Sequence, residues 1–216
     1  MSYLEVIYSK ERRPYTSYPG KLCSYLKKEY FKPGYKTLLD IGCGRGEHIK
    51  EFQKLGYKVK GVDKSEEARL LVKDVEIKIV DIENNPLPYP DKSFDVVFSK
   101  SVIEHLNNPD NIMKETYRIL KDGGRLILMT PDWEAIHKIF YEDYTHKTPF
   151  TKGSLEDINK MFGFRNVSAI KFKQLPVLWK YPILNVFSNI LYYSPKSNIK
   201  FIKYSKEIML LSSAEK

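Results

Sequence analysis

Cysteine is scarce. Cys23 and Cys43 are the only two in 216 residues, which excludes a disulfide scaffold and a four-cysteine zinc site within one chain. The pair fits a reducing cytosol, and a cytoplasmic location is the expectation. Long apolar runs are missing too. The longest uncharged stretch of the tail, Tyr181 to Pro195, has 15 residues with prolines near both ends, while a spanning helix needs about 20 apolar residues. Met1 to Lys10 carries Glu5 and no sustained apolar core, so no secretory leader is read there. Only four histidines occur, and no two share an i, i+4 face, which argues against a helical zinc pair. An Asp143–His146 metal site lacks a visible third ligand, and no metal is expected. Internal repeats and low-complexity tracts are absent.

What is present describes an ordinary globular protein. Hydrophobic residues make up 42% and charged residues 29%, which excludes a mostly disordered chain. The length suits one domain over 1–216, with 1–30 as an N-terminal extension and 174–206 as a segment inserted before the final strand. The net charge is +9, and from Arg165 onward nine Lys/Arg face two acids. Such a basic end suits phosphate, nucleic acid or a membrane surface, or is a solvated lysine-rich face.

Strand and helix signals alternate. Thr37–Ile41, Lys58–Val62, Val75–Val80, Phe94–Phe98 and Arg125–Met129 read as strands. Leu22–Tyr30, Glu47–Leu55, Ser65–Val72 and Asp110–Leu120 read as helices, with Gly56 as a C-cap and Ser65 as an N-cap. Trp133–Phe140 reads as helical and takes in His137. Ser154–Met161 reads as a helix opened by Ser154. Val167–Phe172 and Glu207–Ser212 are weaker strand signals. Short strands alternating with helices predict βαβ units and a parallel sheet of the doubly wound α/β type.

The strongest motif is Leu38-Leu39-Asp40-Ile41-Gly42-Cys43-Gly44-Arg45-Gly46, running from strand to helix. Glycines there allow a tight turn and close approach of a ligand to backbone. The helix beginning near Gly46 offers free N–H groups to an anion. A tight turn alone would account for one glycine, not for three at alternate positions behind an aspartate. Asp63 ends the second strand, where it can accept both hydroxyls of a ribose. Asp81 ends the third, where it can accept from an adenine amine. Asp40 can orient an amine or brace the loop. A nicotinamide site also pairs a glycine loop with an acid, but its spacing is G-x-G-x-x-G, and here it is G-x-G-x-G.

The text LLDIGCGRGEHI, GVD and VDIENNPLPYPDKSFDVVFSKSVIEHLNNPDNIMKETYRILKDGGRLILMTP, about residues 37–131, resembles the class I S-adenosylmethionine-dependent methyltransferases. The resemblance implies a Rossmann-like, mostly parallel seven-stranded sheet with its last strand antiparallel and helices on both faces. It implies S-adenosyl-L-methionine as cofactor. By position, the cofactor residues are Asp40, Gly42, Gly44, Gly46, Asp63 and Asp81, with Ile82 packing on adenine and Ser99 and Ser101 near the methionine end. Cys43 is a small filler of the loop.

Methyl transfer from a sulfonium needs mainly in-line positioning, and a base is useful when the acceptor is a hydroxyl. His146 is the leading base, with Asp143 as its orienter or a substrate contact; a loop clamp is the alternative. His105, just after strand four, is a second candidate, with packing beside the cofactor as its alternative. His48 needs no catalytic role. The block Asp143-Tyr144-Thr145-His146-Lys147-Thr148-Pro149-Phe150-Thr151 resembles that of methyltransferases of surface polysaccharide or glycan-lipid synthesis. The expected acceptor is therefore a hydroxyl on a small molecule, sugar or glycan-lipid intermediate. Nucleic acid ranks low, because no Asn/Asp-Pro-Pro-aromatic turn follows strand four. A non-catalytic protein that kept the fold is the reading from another class.

In the tail, Ile183, Phe187 and Ile190 keep helical spacing, with Asn185, Ser188 and Asn189 toward the other side. The expectation is a lid packed on its own domain. An anionic membrane-surface contact through the basic C-terminal region, or a dimer contact, are the alternatives. Arg13 or Tyr15 is expected to reach the cofactor carboxylate or acceptor, with a surface extension as the alternative.

Overall fold

In the computed structural model, residues 11–192 and 208–216 are described. Seven strands form one sheet: β1 (Thr37–Ile41), β2 (Lys58–Asp63), β3 (Ile77–Ile79), β4 (Phe94–Lys100), β5 (Leu120–Pro131), β6 (Arg165–Lys173) and β7 (Ile208–Glu215). Their spatial order is β3-β2-β1-β4-β5-β7-β6. β1 pairs in parallel with β2 and β4, and β7 runs antiparallel between β5 and β6. This is the Rossmann-like sheet that the resemblance implied.

Helices cover both faces, which is why the central strands β1 and β4 are buried at nearly every position. Leu38, Val96, Phe98, Ile127, Met129 and Leu211 face one hydrophobic cluster; Leu39, Val97, Leu126, Leu128 and Leu210 face the other. The first cluster is covered by α1 (Tyr18–Tyr30), α2 (Glu47–Lys54) and α3 (Glu66–Leu71), through Leu22, Leu26, Ile49, Phe52 and Ala68. The second is covered by α4 (Asp110–Ile119) and α6 (Lys152–Met161), through Ile112, Met113, Ile119 and Leu155. A short helix α5 (Trp133–Ile136) follows β5.

Several boundaries differ from the sequence reading. α1 starts four residues earlier, at Tyr18, because Pro19 suits a first helical turn. α6 is capped by Thr151, whose side chain and that of Ser154 satisfy each other's backbone N–H groups. Ser154 is thus inside the first turn rather than before it. The helix expected over Trp133–Phe140 stops at Ile136, before the exposed His137. There Ile139 N–H turns back to the Ile136 carbonyl, and a 3-10 turn follows at Phe140–Glu142.

The tail gives the clearest reversal. α7 (Pro176–Lys180) packs Trp179 on Tyr25 and Phe172. α8 (Leu184–Tyr192) turns its polar side inward: Ser188 is fully buried and accepts from Lys173 Nζ at 2.8 Å. Its apolar side faces out, with Val186 57%, Phe187 59% and Ile190 67% exposed, and Ile183 just before it is 74% exposed. The anchor of this segment is a lysine–hydroxyl contact, not the apolar stripe. Lys196, Lys200, Lys203, Lys206 and Glu207 lie outside the described residues.

Candidate active site

The strand order reverses between β1 and β4, and crevices form at the carboxyl ends of strands at such a switch point. A cleft of about 430 Å³ opens there, within the range of small-molecule sites. Its floor is the turn after β1. Gly42 and Gly46 have φ of 72° and 70°, and a Cβ on them would collide with Val102 and Val72 respectively. The turn is tied to β2: the Gly42 and Cys43 amides both donate to the Val62 carbonyl, at 2.8 and 3.2 Å. Gly44 N–H donates to Asp63 Oδ2 at 2.8 Å. The Gly42, Cys43 and Gly44 amides are thus used within the protein, and that of Gly44 fixes Asp63.

Asp63, Asp81 and Ile82 line the cleft. Asp63 Oδ1 also accepts from Ser65 N–H at 2.9 Å; each oxygen keeps a second lone pair. Asn84 Nδ2 donates to Asp81 Oδ2 at 2.8 Å, and this bond, first, holds the Asp81 carboxyl below its ordinary range. Asp40 lies beneath the loop, 2% exposed. Its Oδ2 is buried with no partner, and burial, then Asp63, push its pKa well above the usual carboxylate range. An orphaned buried acid below a loop with no room for side chains suits the cationic end of an adenosyl sulfonium amino acid. Cys43 is buried at the cleft wall, and burial raises its thiol pKa. It stays protonated, as a filler would.

Of the expected cofactor residues, Gly42, Cys43, Gly44, Asp63, Asp81, Ile82 and Ser101 line the cleft. Gly46 is the N-cap of α2, packed on Val72. Ser99 lies off the cleft and donates to the Ile41 carbonyl at 3.1 Å. β4 runs on to Lys100, so Ser99 is an inward strand position and Lys100 reaches the cleft instead. His48 was passed over; it lines the cleft with Nε2 buried and without a partner. Burial, then Lys100, push its pKa down to about 3, so the ring is neutral. At the mouth, Arg13 and Thr16 line the cleft. Arg45 donates to the Arg13 carbonyl at 2.8 Å and lies 4.5 Å from the Tyr15 ring centroid.

The far end of the cleft holds the acceptor candidates. His105 and Thr145 line it; His146 stands behind His105, with ring centroids 4.8 Å apart. Thr145 Oγ1 donates to Asp143 Oδ1 at 2.6 Å and lies 2.9 Å from His105 Nδ1. The hydroxyl has one proton, already given to the carboxylate, so in this contact His105 Nδ1 donates. Asp143 is thus linked to His105 through Thr145, and its carbonyl accepts from the His146 amide. His146 Nδ1 lies 2.7 Å from the Phe140 carbonyl oxygen, which makes that nitrogen the donor. The loop is pinned by Lys147 and Thr148 amides, both donating to the Glu104 carbonyl. Burial, then His146, hold His105 below the ordinary imidazole range, against Asp143.

Fold and cleft together define a nucleotide-type cofactor site on a methyltransferase-like sheet. A family described as "Methyltransferase domain" matches residues 39–128. An uncharacterised protein of Methanocaldococcus jannaschii is 30% identical over 146 residues, 63% of this chain and 69% of that protein. The ubiquinone biosynthesis O-methyltransferase of Pelagibacter ubique is 36% identical over 98 residues, 43% of this chain and 41% of that enzyme. A crystal structure of an S-adenosylmethionine-dependent methyltransferase from Archaeoglobus fulgidus superposes with a TM-score of 0.71 at 22% identity, covering 100% of both chains. The chain belongs to the class I S-adenosylmethionine-dependent methyltransferases, and S-adenosylmethionine is its cofactor. Among the described residues, no helix is long and apolar enough to cross a membrane.

Proposed function

We propose that this chain methylates a hydroxyl on a small molecule, sugar or glycan-lipid acceptor, with His105 as the base. The observation that carries the reading is the Asp143–Thr145–His105 chain, which holds the His105 ring at the acceptor end of the cleft. The cofactor, when bound, supplies an electrophilic methyl on a sulfonium. Asp40 would hold its amino end, Asp63 its ribose and Asp81 with Ile82 its adenine. His105 would take the acceptor proton, and Asp143 would stabilise the resulting imidazolium through the Thr145 hydroxyl. His146 would support the ring of His105 from behind.

Turnover with labelled cofactor and a panel of hydroxylated acceptors tests this. His105→Ala is expected to lower kcat by about 100-fold or more, within the usual range for a lost acid–base group, with cofactor affinity kept. Equal kcat would remove the base assignment, and N-methylated products alone would remove the hydroxyl acceptor. The exposed apolar stripe of α8 beside Lys180 supports an acceptor met at an anionic membrane surface.

A further inference from the structure

We propose that His48 donates the hydrogen bond that holds the carboxylate at the methionine end of the cofactor. Asp63 ends β2, Asp81 follows β3, and both line one side of the cleft. With the nucleoside assigned there, the amino-acid end falls toward β4, the strand on the other side of β1. Gly42, His48, Lys100 and Ser101 line the cleft on that side. The His48 ring is anchored to β4 itself, 5.1 Å from the Phe98 ring centroid.

The amino-acid end of such a cofactor presents one cation and one anion. Two buried polar atoms near the loop lack a hydrogen-bond partner: Asp40 Oδ2 beneath it and His48 Nε2 at the cleft wall. The acid suits the ammonium, and the ring suits the carboxylate. A carboxylate only accepts, so it selects the tautomer that carries the proton on Nε2. Burying a polar atom without a partner is costly, and an oxygen beside Nε2 removes that cost. Other groups nearby are committed elsewhere. The Arg45 guanidinium donates to Glu47 and to the Arg13 carbonyl. Glu104, whose Oε1 is also orphaned, does not line the cleft; it is fully buried, with Oε2 accepting from the Thr130 hydroxyl at 3.0 Å.

Packing alone does not call for this histidine. It is the second residue of α2, and the helix is held to the core by Ile49 and Phe52. A phenyl ring against Phe98 would fill the same place and leave no orphan nitrogen. The imidazole is neutral, through burial first and then Lys100, so its part is direction rather than charge. Lys100, at the end of β4, lines the same wall and adds attraction for an anion. The proposal rests on cofactor binding and is independent of the acceptor and of the base.

The test is calorimetry on the full chain with two ligands. One is S-adenosylmethionine; the other is its decarboxylated analogue, which keeps the adenosine, sulfonium and amine but has no carboxylate. His48→Phe fills the volume of the ring, His48→Leu is a second apolar replacement, and His48→Gln keeps an N–H donor. Thermal melts identify the variants that fold. Expected in the apolar variants is a loss of roughly 10–150-fold in affinity for S-adenosylmethionine, the range for a bond to a charged group. Affinity for the analogue should stay unchanged, and His48→Gln should recover part of the loss. Equal losses on both ligands would reduce the ring to packing and overturn the proposal. Unchanged affinity for S-adenosylmethionine also overturns it, and a raised acceptor KM beside it would give the ring to the acceptor. Wild type that takes up neither ligand overturns the cofactor assignment itself.

Discussion

Asp40→Asn is expected to move apo stability and cofactor binding in opposite directions. The wild-type carboxyl is buried, its Oδ2 lacks a partner among the described residues, and its pKa is raised above 3.8 by burial and then by Asp63. The folded state holds this proton more tightly than the unfolded state does. Stability is therefore fully present below the unfolded value and is lost as pH rises toward the folded one. Near pH 8 the apo protein bears the cost of an unsatisfied buried acid, about 1–3 kcal/mol or more. A neutral, isosteric amide relieves part of it. A gain of roughly 1 kcal/mol raises Tm by about 2–4 °C for a chain of this size. The same change removes a charge-assisted bond to the cationic end of the cofactor, about 1.5–3 kcal/mol, or roughly 10–150-fold in Kd. Thermal melts from pH 5 to 8 and calorimetry with the cofactor check both halves. An Asn variant that melts lower at pH 8 and binds the cofactor as tightly as wild type would refute the reasoning.

Other consequences are equally direct. His105 is held below the ordinary imidazole range, first by burial, so kcat should be flat near neutrality and fall on acidification. Asp143→Asn removes an opposing pull and should move that limb to lower pH; an unmoved limb ends the relay. Gly42→Ala forces a left-handed φ on a side chain aimed at Val102; it should lower Tm, with partial recovery in the Gly42→Ala, Val102→Ala double variant. Although burial opposes it, the Lys121 ammonium and the Lys36 and Thr37 amides hold the Asp95 carboxyl at about 2. Its contribution is present above 3.8 and lost as pH falls toward 2, so Asp95→Asn should make acid unfolding shallower across that window. Replacing Phe187 and Ile190 by serine should abolish co-sedimentation with anionic phosphatidylglycerol vesicles, and wild type that stays in the supernatant would remove the membrane contact.

The sheet was legible because its signals are local. Thr37–Ile41 and Phe94–Phe98 are mostly apolar, with Leu38, Leu39, Ile41, Phe94, Val96, Val97 and Phe98 buried as in strands covered on both faces, and glycines follow the first. That Asp63, Asp81 and Gly42–Gly44 come together at one cleft was legible for a related reason: each lies at the end of a recognisable strand. What failed depended on distance in sequence. Ser99 was misassigned because strand four continues past the apolar run, and two more residues decide which side chain reaches the cleft. Glu104 sits beside His105 in sequence, yet nothing local announces that it is buried against Thr130. The tilted ring contact of His105 with His146 joins residues 41 apart. α8 misled because an apolar stripe at helical spacing normally faces a core, and only Lys173, on another element, reveals that its polar side is the anchored one.

β7 joins β6 to the rest of the sheet, and its register with β5 matches Arg125 to Glu215 and Pro131 to Met209. Those pairings close loops of about 80–90 residues, among the slowest steps available to a domain of this size. The parallel core from β3 to β5 needs shorter closures, the longest being the β1–β4 pairing of Leu38 with Val96. A folding experiment that follows amide protection strand by strand should find β1, β2 and β4 shielded early. The outer amides of β5, together with all of β6, would gain protection in one late step, when the seventh strand slides between them and the two halves of the sheet become one.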